Sequence, residues 1–492
     1  LTGSVRPCQP PTSIEERSIM CWLRLVTLGP CLAGLLAASS ASAQTVLQDL
    51  LVRSRDTNAL VRFDGETGAF VDVFVTPGAG GLRATQEVLL DHSGDLIVSG
   101  RGSSSILRFS RQTGEPRGSF TSGYVLDAPT KMSWGPDANL YVSQWGDRTN
   151  QTTVAVFDGQ TGAFLREATP NLDLPMDHYW DDAGTLHVVS FGSRDVRRFA
   201  GDGTLIDIFM PADATLQGPG TLWGGDSGGR LIAEWSSGSI RRYDAQTGGF
   251  IGTFASGLQN VEGHATGPDG ALYVGEWGAD RVRRLDAATG QSLGIFAAAG
   301  GNLGAPNSVL FVERLPDFSL STSVTSTTVA PGGQEQIPVE ITPLRGLPFN
   351  DPVTLTCSSL SSRLNCSVQP GTVTPGSNTA SATVQLTAAA ATTAARDTHR
   401  SWGFLAFGSL ALGLLRSPRR VRGLVTVSMI MLAVMISCGG SSGSTTGPAT
   451  GSNPDPPPPA PDPMPMPEIV QIEVTATAGE IERTGNVTVT IQ

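Results

Sequence analysis

RYDAQTG at residues 242–248 and RLDAATG at residues 284–290 are two copies of one turn. The pattern returns as RFDGETG at 62–68, RFSRQTG at 108–114 and VFDGQTG at 156–162, and in shortened form as RFAGDG at 198–203. Six copies make this a repeat protein. In Asp-x-x-Thr-Gly the Asp and Thr oxygens can accept from backbone N–H groups while Gly supplies a positive φ, so a hairpin connection explains the turn. A calcium loop needs more oxygens than the single carboxylate that Asp64, Asp158, Asp244 or Asp286 brings.

Around each turn the sequence reads as four short β-rich runs. In the third unit these are 130–134, 140–144, 153–158 and 163–168, with turns at 135–139 and 159–162 and a loop at 145–152. Four strands at a period of roughly 45 residues mark a β-propeller blade. The second strands align at 50–53, 96–99, 140–143, 186–189, 231–234 and 272–275, and the first strands at 85–90, 130–134, 176–180, 221–225, 262–266 and 307–312. The chain therefore enters on a second strand and leaves on a first. This predicts an all-β, six-bladed propeller over 46–315 with a three-plus-one closure, in which 307–312 pairs with the N-terminal strands and leaves no free edge. Trp145, Trp235 and Trp277, with Phe191 at the matching place, are read as packing between blades.

Beyond residue 315 the texture changes to Ser, Thr, Val and Pro in alternation, as in QIPVEITPL and SATVQLTA, which reads as the strands of a β-sandwich over 317–388. Five strands are too few for that sandwich. Two further alternating runs, within 468–492, are expected to complete it. Cys357 and Cys366 stand nine apart and are expected to form a structural disulfide.

The remaining segments point to export and a membrane. Residues 1–43 are read as a leader with a signal peptide from Met20: Arg24 precedes an apolar run at 25–38 that ends in Ala41-Ser42-Ala43. Export would remove Cys8, Cys21 and Cys31. Over 402–438, two apolar runs flank Arg416, Arg419, Arg420 and Arg422. Each run is fourteen residues, about 21 Å as helix against a hydrocarbon core of about 30 Å. Arginines held on the cytoplasmic side make this a hydrophobic hairpin that crosses twice. The alternative is a lipoprotein-like segment lipidated at Cys438. A Gly/Ser/Pro linker follows at 439–467. The net charge of -11 leaves no basic face for phosphates, which excludes a nucleic-acid partner.

GPDGALYVGEW at 267–277 with RVRRLDAATGQSLGIF at 281–296 resembles the NHL-type propeller repeats of exported bacterial proteins. It is similar, more loosely, to the senescence-marker (SMP-30)/gluconolactonase superfamily and to the streptogramin lyases. The stretch around the two cysteines resembles the immunoglobulin-like modules of bacterial surface proteins. The gluconolactonase resemblance implies a divalent cation (Ca, Mg or Zn) polarising a lactone carbonyl, with Glu262, Asp177 and Asn307 as its candidate ligands. The lyase resemblance implies a His general base, for which His178 and His264 are candidates. Ligand-binding candidates at the starts of the innermost strands are Glu87, Lys131, Asp177, Glu262 and Asn307. No Gly-x-Ser-x-Gly elbow, His-Glu-x-x-His or phosphate loop occurs. The expected function is an exported, membrane-tethered binding or scaffold protein for a small molecule, polysaccharide or protein at the extracytoplasmic face. The alternative is a metal-dependent lactonase or lyase.

Overall fold

A computed structural model describes residues 46–225, 228–390 and 466–492. The segments expected to be a leader with signal peptide, a hydrophobic hairpin with Cys438, and a linker up to residue 465 lie outside the described residues. Among the described residues no helix is long and apolar enough to cross a membrane. Among its described residues, the compact unit Gln48–Gln492 is all-β apart from two single-turn 3-10 helices, Ala79–Gly81 and Trp277–Ala279.

Six four-stranded antiparallel sheets account for the repeat region, an arrangement consistent with a propeller. Their first strands are Thr85–Leu90, Pro129–Trp134, Pro175–Trp180, Pro219–Gly224, Val261–Thr266 and Pro306–Glu313. Each of these contacts the next in cyclic order, so they form the inner wall of a ring. The ring is tied where Pro306–Glu313 pairs antiparallel with Gln48–Ser54, the first strand in the chain. Apolar clusters fill the spaces between successive sheets. One of them joins Leu51, Leu60 and Val75 of one sheet to Val88, Val98 and Phe109 of the next.

Strands within 318–388 and 468–491 form two more sheets around one shared core that includes Ile337, Val339, Val384, Ile472, Val487 and Val489. The strands alternate buried and exposed, as in Glu468–Ala478, so one face of each sheet enters the core. The terminal hairpin Glu468–Ala478 and Ile481–Ile491 belongs to the five-stranded sheet, beside Val353–Ser359. Cys357 and Cys366 are disulfide-bonded, and their strands lie in the two facing sheets rather than side by side in one. The buried Asp49 carboxylate ties these sheets to the ring. It accepts from Arg314 at 3.0 Å and from Arg345 at 2.6 Å, while Arg314 also reaches Asp64 and Glu66.

The repeated turn does two jobs. In four copies its Asp Oδ1 accepts from the Thr backbone N–H and Thr hydroxyl at 2.7–2.9 Å. Ser110 takes the Asp position in the second sheet and accepts from the Thr113 N–H at 3.1 Å. The closing glycine also meets the outer strand of the preceding sheet. A Cβ at Gly248 would lie 2.2 Å from the Phe209 carbonyl oxygen, and at Gly162 it would lie 1.8 Å from that of Phe120. Gly248 has φ 70°, where a side chain is strained as well as crowded. Gly248→Ala is expected to lose at least about 1–2 kcal/mol for the left-handed backbone alone, measured as a lower midpoint in urea unfolding. Gly249→Ala, whose added carbon meets only Thr247 Oγ1 at 3.3 Å, should unfold close to wild type.

Candidate functional site

Near its start, every inner strand slips one residue against its neighbour in the ladder. A bulge breaks strict alternation and re-aims side chains. The second and third residues of these strands thereby converge on the ring's centre. Gln86, Glu262 and Asn307 come from the second position, and Glu87 and Lys131 from the third.

Lys131 is the hub. Its ammonium, in a side chain only 2% exposed, lies 3.2 Å from Glu87 and 3.6 Å from Glu262. It also donates to the main-chain carbonyls of Gln86 and Asn307. Asn307 Nδ2 donates to Glu262 at 3.2 Å and to the Gln86 side-chain oxygen, and Ser308 donates to Glu87. Behind them Arg53 is fully buried. Its Nη1 donates to Thr85 Oγ1 at 2.6 Å, while Nε and Nη2 have no partner. Burial lowers the Arg53 pKa to about 9 against the pull of Glu262 and Glu87. Burial raises that of Glu262 against the pull of Lys131 and Arg53.

This plug separates two cavities that share no lining residue. Beyond the third strand position lies the larger, of about 510 Å³, lined by Glu87, Lys131, Asp177, His178, Thr221 and His264 among others. Asp177 is pushed up to about 7 by burial. Its carboxylate accepts from its neighbour's N–H, that of His178, at 2.8 Å and from the Leu222 N–H at 2.9 Å. Desolvation holds His178 down at about 3, and its Nδ1 is hydrogen-bonded to Ser143 at 2.8 Å, leaving Nε2 unpartnered. His264 stacks on Trp223 at 4.0 Å, and desolvation followed by the Lys131 charge lowers its pKa too. Both imidazoles are neutral at pH 7.

The residues proposed to hold a divalent cation do not fit one. Glu262 and Asn307 are neighbours, but Asp177 is engaged by main-chain N–H groups, and the Lys131 ammonium stands between Glu262 and Glu87. Asn307 turns its amide nitrogen toward the carboxylate. Among the described residues no group of three His, Cys, Asp or Glu has ligating geometry.

The second cavity, of about 200 Å³, opens at the other end of the plug and has a repeated construction. Six residues, each the first after a second strand, line it: Arg55, Arg101, Trp145, Phe191, Trp235 and Trp277. Five have their N–H bonded at 2.8–3.3 Å to the carbonyl of the residue just before an inner strand. Four of those acceptor residues, Ala84, Ala128, Leu174 and Asn260, hold φ between 42° and 55°. Strained backbone is thus spent on fixing this rim. Arg55 stacks over Trp277 at 4.5 Å and Arg101 over Trp145 at 4.6 Å. Trp277 meets Trp235 edge-on, and Trp145 meets Phe191 at a tilt. Gln86, Met176, Gly220 and Glu262 complete the lining. The four aromatics pack on one another as expected, and they also wall a cavity. Arg55 and Arg101 were not visible as their counterparts in the sequence; alignment of strand ends, instead of residue identity, would have placed them.

No family model matches the chain, and no curated protein matches it. Solved structures that resemble it include a protein of unknown function from Bacteroides caccae, with 16% identity over 55% of this chain and 100% of that one and a TM-score of 0.44. Virginiamycin B lyase from Staphylococcus aureus shares 16% identity over 49% and 82%, with a TM-score of 0.37. A streptogramin B lyase shares 15% identity over 53% and 82%, also with a TM-score of 0.37. At these values the likeness carries no inference about activity.

The neutral His178 makes a pH prediction. A histidine whose folded pKa is depressed contributes stability above its unfolded pKa of 6.5 and loses it as pH falls toward about 3. Between pH 7 and pH 5 this one group should cost about 2 kcal/mol. Thermal melts of His178→Gln at those two pH values should therefore differ less than those of wild type.

Proposed function

We propose that this chain is an exported, membrane-tethered binding protein. In this reading the six sheets are the blades of a six-bladed propeller, the two-sheet module is immunoglobulin-like, and a ligand sits in the aromatic and arginine-rimmed cavity. Support for export and tethering comes from the sequence patterns at 20–43 and 402–438. Support for binding without metal chemistry comes from one observation above all: Lys131 neutralises the central carboxylates from within. A divalent cation would have to displace a buried, multiply bonded ammonium from between Glu87 and Glu262.

The lactonase or lyase alternative retains one supporting feature. His178 Nε2 is free of partners beside the larger cavity. A general base also needs a reacting proton within reach and a group to stabilise the charge that develops. Among the described residues the only cation that lines that cavity is Lys131, which is already paired with both carboxylates.

Metal content separates the readings. The full chain, equilibrated with Mg²⁺, Ca²⁺ or Zn²⁺ and then desalted, should carry no stoichiometric ion. Lys131→Ala leaves Glu87 and Glu262 without their counter-ion and should gain affinity for a divalent cation by at least tenfold in a calorimetric titration. Stoichiometric metal on wild type that disappears in Glu262→Ala would overturn the non-enzymatic reading. For the tether, a reporter joined after Gln492 should be found outside the cytoplasm, and a cytoplasmic signal would contradict it.

A further inference from the structure

We propose that the rimmed cavity binds one neutral sugar ring, an inference that rests on the reading of this cavity as the binding site. The rim is Trp145, Phe191, Trp235 and Trp277 with Arg55 and Arg101, all half-buried, and its exposed lining is overwhelmingly apolar. The floor adds Gln86, less than 1% exposed, and Glu262, 1% exposed. Each has a polar atom without a partner: Gln86 Nε2, a donor, and Glu262 Oε2, an acceptor. Directly behind them Asn307 Oδ1, an acceptor, and Arg53 Nε and Nη2, donors, are unpartnered as well. Buried polar atoms left this way are costly, and the two on lining residues, one a donor and one an acceptor, point to a ligand that supplies their partners.

Three ligand classes fail on this floor. A cation is satisfied by acceptors alone, and here it would meet the Arg55 and Arg101 guanidinium groups at the rim. The guanidinium groups of Arg55 and Arg101 already occupy faces of Trp277 and Trp145. An anion wants donors alone and would confront the Glu262 carboxylate. A purely apolar ligand would leave every orphaned atom unpaired. A hydroxyl is both donor and acceptor, so a ring bearing several hydroxyls serves a mixed set. A sugar ring also presents C–H faces that pack against indole and phenyl rings such as Trp235 and Phe191, the two rim aromatics that Arg55 and Arg101 do not cover. At about 200 Å³ the cavity is smaller than the ~300–1,000 Å³ typical of sites for drug-sized ligands, which suits one ring. The internal pairing of Lys131 with Glu87 and Glu262 offsets charge behind the floor, as a neutral ligand needs.

The test uses the full chain and its tryptophan fluorescence, since three of the six rim residues are tryptophans. Methyl glucoside, methyl galactoside, methyl mannoside and N-acetylglucosamine are titrated separately, beside tetramethylammonium chloride, sodium acetate and magnesium chloride. At least one neutral sugar should give a saturable change that Trp235→Ala and Glu262→Gln each weaken at least tenfold. Trp235 is half-exposed and its removal should leave the melting temperature within a few degrees. If Glu262→Gln does not fold, Trp235→Ala carries the comparison. The corresponding disaccharides distinguish sources: tighter binding than the monosaccharide indicates the end of a glycan, equal binding a free sugar, and both support the inference. Saturation by tetramethylammonium or acetate without any sugar response overturns it, as does no saturable response at all. A magnesium response lost in Glu262→Gln overturns the metal-free reading, a result separate from failure of the sugar arms.

Discussion

Each sheet of the ring is set against the one before it by a glycine pressed on a carbonyl. Gly68 approaches Phe296, Gly114 Phe74, Gly162 Phe120, Gly248 Phe209 and Gly290 Phe254, all at distances that no side chain on the glycine would permit. Gly203 of the shortened turn approaches Ala168 in the same way. Because the step from sheet to sheet repeats, the ring returns on itself, and Pro306–Glu313 can complete the sheet begun by Gln48–Ser54. The rest of the repeated motif serves this contact. Asp and Thr hold the turn in place, and in four sheets the motif's Arg stacks over a phenylalanine of the same sheet's outer strand: Arg62 on Phe74, Arg108 on Phe120, Arg198 on Phe209 and Arg242 on Phe254. All four of those phenylalanines supply the carbonyl that the next sheet's full-length turn glycine meets. The motif is a docking device rather than a chemical one.

That division explains what could be read in the residues. A contact made six times leaves six copies of its motif, so the all-β repeat and its strand order were legible. A functional centre is made once, by residues that differ from sheet to sheet, and nothing in Lys131 itself announces that Glu87 and Glu262 are its partners, 44 and 131 positions away. The bulge that brings Gln86 and Glu87 toward the same centre is a property of pairing and leaves no residue signature. Arg55 and Arg101 occupy the same place as three tryptophans and a phenylalanine, yet identity hides what geometry equates. Asp49 is similar: its role follows from Arg314 and Arg345, nearly three hundred residues downstream.

Convergence of titratable residues is by itself a poor guide to catalysis. Asp177, His178 and His264 reach one cavity, but each is committed: Asp177 to two backbone N–H groups, His178 to Ser143, His264 to the face of Trp223. Burial then pushes both histidines toward the neutral form and Asp177 up to about 7. Such shifts arise equally in active sites and in structural networks. Geometry decides between them, and here the hydrogen bonds point inward to the scaffold.

Two charges of each sign share the plug, Lys131 and Arg53 with Glu87 and Glu262. Removing any one would leave its partners charged in a place without water, a far larger penalty than the net gain from the pair itself. The plug is therefore rigid for electrostatic reasons, and it closes the ring's axis between two unlike cavities. A ligand reaching one end cannot pass to the other. The end that retains unpaired donors and acceptors beneath an aromatic rim is the one whose chemistry is unfinished, whereas the acids and histidines at the opposite end have largely found their partners within the protein. A ligand at that end would supply hydrogen bonds that the protein itself does not.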